Sequence, residues 1–131
     1  MKSINLHKIT WIIVGCILAE IAYLMMQIGI AAFSHEYTLN EFLDPNNALY
    51  SVPRHFFIVG IVFLIAIIYA EYKHIYSLSY YIIASVITSL IYYAYFWLNG
   101  SPILLSNFLY NVLCAIVAGF VYWAVVPNRI R

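Results

Sequence analysis

The sequence predicts an all-α fold, an integral membrane four-helix bundle with both termini cytoplasmic, and three observations carry that prediction. Of the 131 residues, 66% are hydrophobic and 8% charged, against roughly 25% charged in ordinary soluble domains. The apolar residues run in long unbroken segments, whereas a β-barrel needs short alternating strands with turn signals. Four segments, roughly residues 9–33, 55–72, 76–98 and 103–126, are of the length that crosses a hydrocarbon core, about 20 mainly apolar residues. Neither an internal repeat nor a low-complexity tail divides the chain, so residues 1–131 read as a single transmembrane domain.

The first span, Ile9 to Phe33, exceeds the roughly 7 to 15 apolar residues of a signal-peptide core and carries Glu20. It reads as a retained helix, although Gly29-Ile30-Ala31 is a passable cleavage site. The one larger loop follows, residues 34–54, which is predicted to be external and sets Glu36, Glu41 and Asp44 against Arg54. Thr38-Leu39-Asn40-Glu41 has the capping-box pattern and Asp44-Pro45-Asn46-Asn47 is a turn signal. Together they predict a short surface helix that turns Leu39, Phe42 and Leu43 to the bilayer or the bundle. His35, Glu36, Glu41, Asp44 and His55 have no pair at the tight spacing of a zinc site, so no metal is predicted.

The second span, HFFIVGIVFLIAIIYA, has no polar stripe apart from Tyr69 and is the candidate for the most lipid-exposed helix. The third and fourth are joined by Asn99-Gly100-Ser101-Pro102, in which Ser101 can cap the last helix and Pro102 can take its first position. The glycosylation triplet Asn99-Gly100-Ser101 lies against the membrane with proline next, and is read as a chance match.

Charge sets the threading. Four spans leave the N-terminus, the second loop and the C-terminus on one side with Lys2, Lys8, Lys73, Arg129 and Arg131, while Arg54 stands on the other. The positive-inside rule makes the first side cytoplasmic, and Trp11, Trp97 and Trp123 fall at headgroup depth. The balance of charge includes no basic stripe for nucleic acid. Cys16 and Cys114 both lie within spans and suggest small packing residues rather than a disulfide.

Polar side chains in a span must turn to other helices or to a water-filled path. At helical spacing one face of the first span carries Cys16, Glu20, Tyr23 and Gln27, and one face of the third carries Tyr81, Ser85, Thr88 and Tyr92, with Ser89 beside them. The fourth carries Asn107, Asn111, Cys114 and Ala118, then Tyr122. At about 1.5 Å per residue, Glu20, Ser85 or Thr88, and Cys114 fall near the midplane, with Gln27, Asn107 and Asn111 in the outer half. Small residues Gly15, Ala19 and Ala22, and Ala115, Ala118 and Gly119, permit close approach. Direct packing of the first, third and fourth helices around a polar seam is therefore predicted. A charge at the midplane costs about 3 kcal/mol on insertion scales, so Glu20 must hold a proton, find partners or reach water.

Gly15-Cys16-Ile17-Leu18-Ala19-Glu20-Ile21 resembles the first helix of the small multidrug resistance transporters, four-helix proteins that work as dimers around a membrane-embedded glutamate. The resemblance covers that helix alone. It implies that Glu20 exchanges protons for cationic drugs, whereas the long first loop and a third helix without the family's tryptophan and glycine pattern depart from it. The ending Gly119-Phe120-Val121-Tyr122-Trp123-Ala124-Val125-Val126 with Arg129 resembles that of small, uncharacterised bacterial inner-membrane proteins, which implies a compartment and no chemistry.

Enzymatic motifs are missing: no nucleophile and base pair, phosphate-binding glycine loop or metalloprotease signature occurs. His55 and His74 bracket the second span at its boundaries, with no histidine inside the hydrocarbon, which argues against haem, and no cofactor is predicted. Two functions remain. The first is a non-enzymatic accessory or interaction subunit of a bacterial inner-membrane assembly, with the bilayer and either further copies or a larger membrane protein as partners. The alternative is a proton-coupled small transporter, dimeric, with Glu20 central and Tyr23, Gln27 and Asn111 lining the path.

Overall fold

The computed structural model describes residues 5–34, 45–100 and 105–130, with side chains placed for residues 5–29, 57–95, 97–100 and 108–130. His35, Glu36, Thr38, Leu39, Glu41, Phe42, Leu43 and Asp44 of the first loop, Ser101 and Pro102 of the third, and Lys2 and Arg131 lie outside the described residues, as do the side chains of Arg54, His55 and Asn107.

The described residues form four long helices and one short one: α1 Leu6–Ser34, α2 Pro45–Lys73, α3 Leu78–Leu98, α4 Leu105–Val125 and α5 Pro127–Ile130. No strand occurs among the described residues. Among the described residues three segments are long and apolar enough to cross a membrane, Leu6–Gly29, Leu78–Tyr95 and Phe108–Ile130. The second expected span falls in α2, where the described side chains begin at Phe57.

The start of α2 is the largest departure from the sequence-based expectation. Residues 45–54, expected as loop, are the first turns of this helix, which begins at Pro45 rather than near His55. Proline costs nothing in a first helical turn, where the N–H has no intrahelical partner, so a stretch that reads as a turn starts a helix equally well. Pro53 lies within the same helix and, lacking an N–H, leaves the Leu49 carbonyl without its helical donor.

Two helix ends show how the chain turns. Past the end of α2, His74 adopts a left-handed backbone (φ 56°), while Ile75 N–H donates to the Ala70 carbonyl at 2.9 Å and His74 N–H to the Glu71 carbonyl at 3.3 Å. This is the Schellman arrangement, which normally selects glycine at the left-handed position. His74→Gly is therefore expected to raise stability by up to about 1 kcal/mol by removing the Cβ penalty, measurable as a higher unfolding midpoint in detergent micelles. α3 closes with the glycine in place: Gly100 has φ 80° and donates to the Trp97 carbonyl at 3.0 Å.

α4 is the central element. It packs along α1 on one side and α3 on the other, while α2 lies on α3 and touches α1 only lightly. α1 and α3, whose stripes predicted direct packing, make no close backbone approach among the described residues, because α4 stands between them. Small residues set this geometry. A Cβ on Gly119 would fall 2.7 Å from the Tyr81 carbonyl and 3.0 Å from Ile82 Cα of α3, and one on Gly15 would meet Val126 and the Tyr122 ring. In the same contact Ser85 Oγ lies 2.7 Å from the Ala115 carbonyl of α4 and 2.9 Å from the Ile82 carbonyl of its own helix, sharing its proton between them.

The bundle buries hydroxyl-bearing side chains and leaves large aliphatic ones on its surface. Tyr23, Tyr81, Ser85, Thr88, Ser89 and Tyr122 are buried, whereas Ile17, Ile21, Met25, Ile61, Ile65, Ile68, Ile83, Leu113 and Phe120 are exposed. Such a distribution suits hydrocarbon surroundings, which offer side chains no hydrogen bonds. At the end holding the N-terminus, Lys8 Nζ pairs with Glu71 Oε2 at 3.4 Å. The Arg129 guanidinium sits over the Trp11 ring at 5.0 Å, and Trp123 Nε1–H donates to the Tyr76 carbonyl at 3.1 Å.

Candidate functional site

The sparse contact between α1 and α2 leaves space between them. A cavity of about 330 Å³ opens there, and its floor is made by α3 and α4. α1 supplies Cys16, Ala19, Glu20 and Tyr23, one helical face at the spacing the sequence indicated. Ser85, Thr88 and Ser89 of α3 and Ala115 and Ala118 of α4 form the floor. Ile13 and Ile17 of α1 and Phe57, Ile61 and Leu64 of α2 line it too, and are exposed, so they form an apolar rim.

Among the described residues Glu20 is the one carboxylate in this lining, half-buried, and interacts electrostatically with the Cys16 thiol one turn below. The floor hydroxyls are partly committed to backbone: Thr88 Oγ1–H donates to the Ala84 carbonyl at 2.8 Å and Ser85 bridges α3 to α4. The site thus presents one negative or proton-carrying group in an apolar wall. Physically it suits a proton, or a cation whose remaining surface is apolar.

Above the cavity the polar residues close on one another. The Tyr23 hydroxyl and Gln27 Nε2 both donate to Asn111 Oδ1, the second at 2.7 Å, and Asn111 Nδ2 donates to the Tyr93 hydroxyl. Gln27 Nε2 also lies 3.4 Å from the Tyr23 oxygen. α1, α3 and α4 are tied together by this cluster through side chains that reach past their backbones. Tyr23 belongs to both the cluster and the cavity, whereas Gln27 and Asn111 do not line the cavity. Of the residues suggested for a proton or substrate path, Glu20 and Tyr23 face the space, and Gln27 and Asn111 hold its end.

Asn111 is the hub, so Asn111→Ala removes its contacts to Tyr23, Gln27 and Tyr93 at once. The expected loss is about 1–2 kcal/mol, nearer the lower figure in a membrane setting, read as a lower unfolding midpoint in micelles.

Cys114 is fully buried and Cys16 half-buried, both as free thiols. Tyr92 is half-buried on α3. Tyr93 was not singled out in the sequence, yet it lies one turn from Ser89 and two from Ser85. Extending the polar face by i, i+4, i+8 would have found it. The Lys8–Glu71 pair had no local signal, because its partners are far apart in the chain and belong to different helices.

Comparison with family models, with curated proteins and with solved structures found no match.

Proposed function

We propose that the protein is a four-span membrane protein, with both termini on the cytoplasmic face of a bacterial-type inner membrane, that binds an amphiphilic organic cation in the α1–α2 cavity against Glu20. The observation that carries this reading is the cavity itself, in which Glu20 is the one carboxylate among mainly apolar lining residues. Its volume falls within the roughly 300–1,000 Å³ of small-molecule sites, and an apolar wall with a few placed polar groups is their usual composition. The threading rests on Lys8, Lys73 and Arg129, which the sequence puts on the side of the termini.

Proton and cation compete for one carboxylate, so uptake of one releases the other, and this is the exchange that the likeness of residues 15–21 to the small multidrug resistance transporters implies. The apolar rim between α1 and α2 provides a lateral entrance from the bilayer. The test is saturable binding of tetraphenylphosphonium to the purified protein in lipid nanodiscs, followed by equilibrium dialysis. Binding that saturates at one site per cavity and weakens as pH falls is expected. A signal that grows only with lipid content would sink the proposal.

The same lateral opening supports a second reading, the accessory subunit, in which a helix of a larger membrane protein covers Ile13, Ile17, Phe57, Ile61 and Leu64. Native mass spectrometry after gentle extraction separates the two. A stoichiometric complex with a larger protein assigns the rim to that partner, and a homo-oligomer or monomer leaves it to the ligand.

A further inference from the structure

Ser89, on the floor of the α1–α2 cavity, is only 4% exposed, and its hydroxyl has no hydrogen-bond partner among the described residues. The other hydroxyls of that lining are engaged. Ser85 divides its proton between the Ile82 and Ala115 carbonyls, Thr88 donates to the Ala84 carbonyl one turn back, and Tyr23 donates to Asn111. A helical serine can satisfy itself in the same way, by turning back on the carbonyl three or four residues earlier. Ser89 makes no such bond.

Leaving a buried hydroxyl unbonded is unfavourable, and more so where lipid offers nothing in its place, so such a group calls for an explanation. Here the explanation lies in front of it. The hydroxyl lines a space of about 330 Å³, and an occupant of that space can supply the missing bond. Glu20 belongs to α1 and Ser89 to α3, on the wall and the floor of one cavity. A molecule that fills it can therefore meet a carboxylate with one part and a hydroxyl with another. Because a serine hydroxyl both donates and accepts, the second part can be an alcohol, an ether or a carbonyl.

We propose that Ser89 is a specificity-determining residue of this cavity, and that the ligand is an organic cation carrying a hydroxyl, ether or carbonyl apart from its charged centre. The inference rests on the cation reading of the cavity and adds to it: Glu20 meets the charge, and Ser89 selects among cations of equal charge and shape. A site that supplies a hydrogen bond discriminates against the analogue lacking the group, because the protein's own buried hydroxyl is then left unbonded against an apolar surface. A cation without hydrogen-bonding groups, such as tetraphenylphosphonium, reports on Glu20 and leaves Ser89 unsatisfied.

The test is equilibrium dialysis of the full-length protein in lipid nanodiscs against paired quaternary ammonium probes. One member of each pair is a benzyldimethyl(hydroxyalkyl)ammonium ion, in a series of increasing arm length, and its twin has methyl in place of the terminal hydroxyl. Both keep their charge at every pH. At one arm length or more, the parent is expected to bind the hydroxylated probe about fivefold more tightly than its twin, the net effect of one hydrogen bond. In Ser89→Ala that preference should disappear. Unfolding without probe supplies the second readout: Ser89→Ala should be at least as stable as its parent, since it loses no bond and gains a better helix former. Twins that bind equally at every length, a preference that survives in Ser89→Ala, or a Ser89→Ala protein destabilised when empty overturns the role of Ser89 and leaves the cation reading standing. Failure of every probe to bind saturably removes the cation reading, and this inference with it.

Discussion

Gly119→Ala is expected to destabilise the bundle by about 3 kcal/mol, the upper part of the range for overpacking a close contact. The added methyl meets the Tyr81 carbonyl at 2.7 Å and Ile82 Cα at 3.0 Å, which are backbone atoms that no rotamer change can move, and Ser85 Oγ at 2.5 Å. α3 and α4 must therefore separate, and the Ser85 link to the Ala115 carbonyl lengthens with them. Gly29→Ala is the control: no described residue has an atom within 4 Å of its added Cβ. Filling a helical glycine there should stabilise by about 0.5–1 kcal/mol through the unfolded chain. The measurement is reversible denaturation in detergent micelles. Equal midpoints for the two variants would mean that α3 and α4 do not meet at Gly119.

The same contact shows why some of the fold was legible in the sequence and some was not. Apolar run length fixes which segments are helices in a membrane setting, and the ends of α3 and α4 fall close to where the runs stop. Proline is ambiguous by nature, since it ends one helix and starts another with equal ease, and Pro45 was read the wrong way. Of the residues on the polar stripes, Tyr23 of α1, Tyr81, Ser85 and Thr88 of α3, and Cys114, Ala118 and Tyr122 of α4 are buried, and helical period is what set them on common faces. Period does not decide order. A face says that a helix has a neighbour without saying which one, and so the sequence placed α1 directly on α3 where α4 intervenes. The cavity was illegible for the same reason, as it depends on α1 and α2 lying apart and on nothing within either helix. Glu20 could be identified as a residue in need of a partner or water, while the space it faces belongs to the assembly of all four helices.

Glu20→Gln is expected to lower the affinity for a lipophilic cation about a hundredfold, since a carboxylate about 6 Å from the cation's centre attracts it by roughly 3 kcal/mol at an effective dielectric of about 20. The amide keeps the shape of the acid and its hydrogen-bonding capacity but cannot carry the charge, so folding should survive where binding does not. pH supplies the sharper criterion. While Glu20 is protonated, each unit of rising pH should strengthen cation binding up to tenfold, because one proton must leave for one cation to bind. In Glu20→Gln that slope should vanish. Gln27→Leu serves as the companion, because Gln27 holds the polar cluster through Asn111 and does not line the cavity. It should lower stability and leave both affinity and slope in place. If Glu20→Gln keeps the parent's affinity and slope, the proton is exchanged elsewhere, and Glu20 becomes a neutral acid that serves packing. The rim between α1 and α2 then reverts to a surface for a partner helix, which is the outcome the accessory-subunit reading requires.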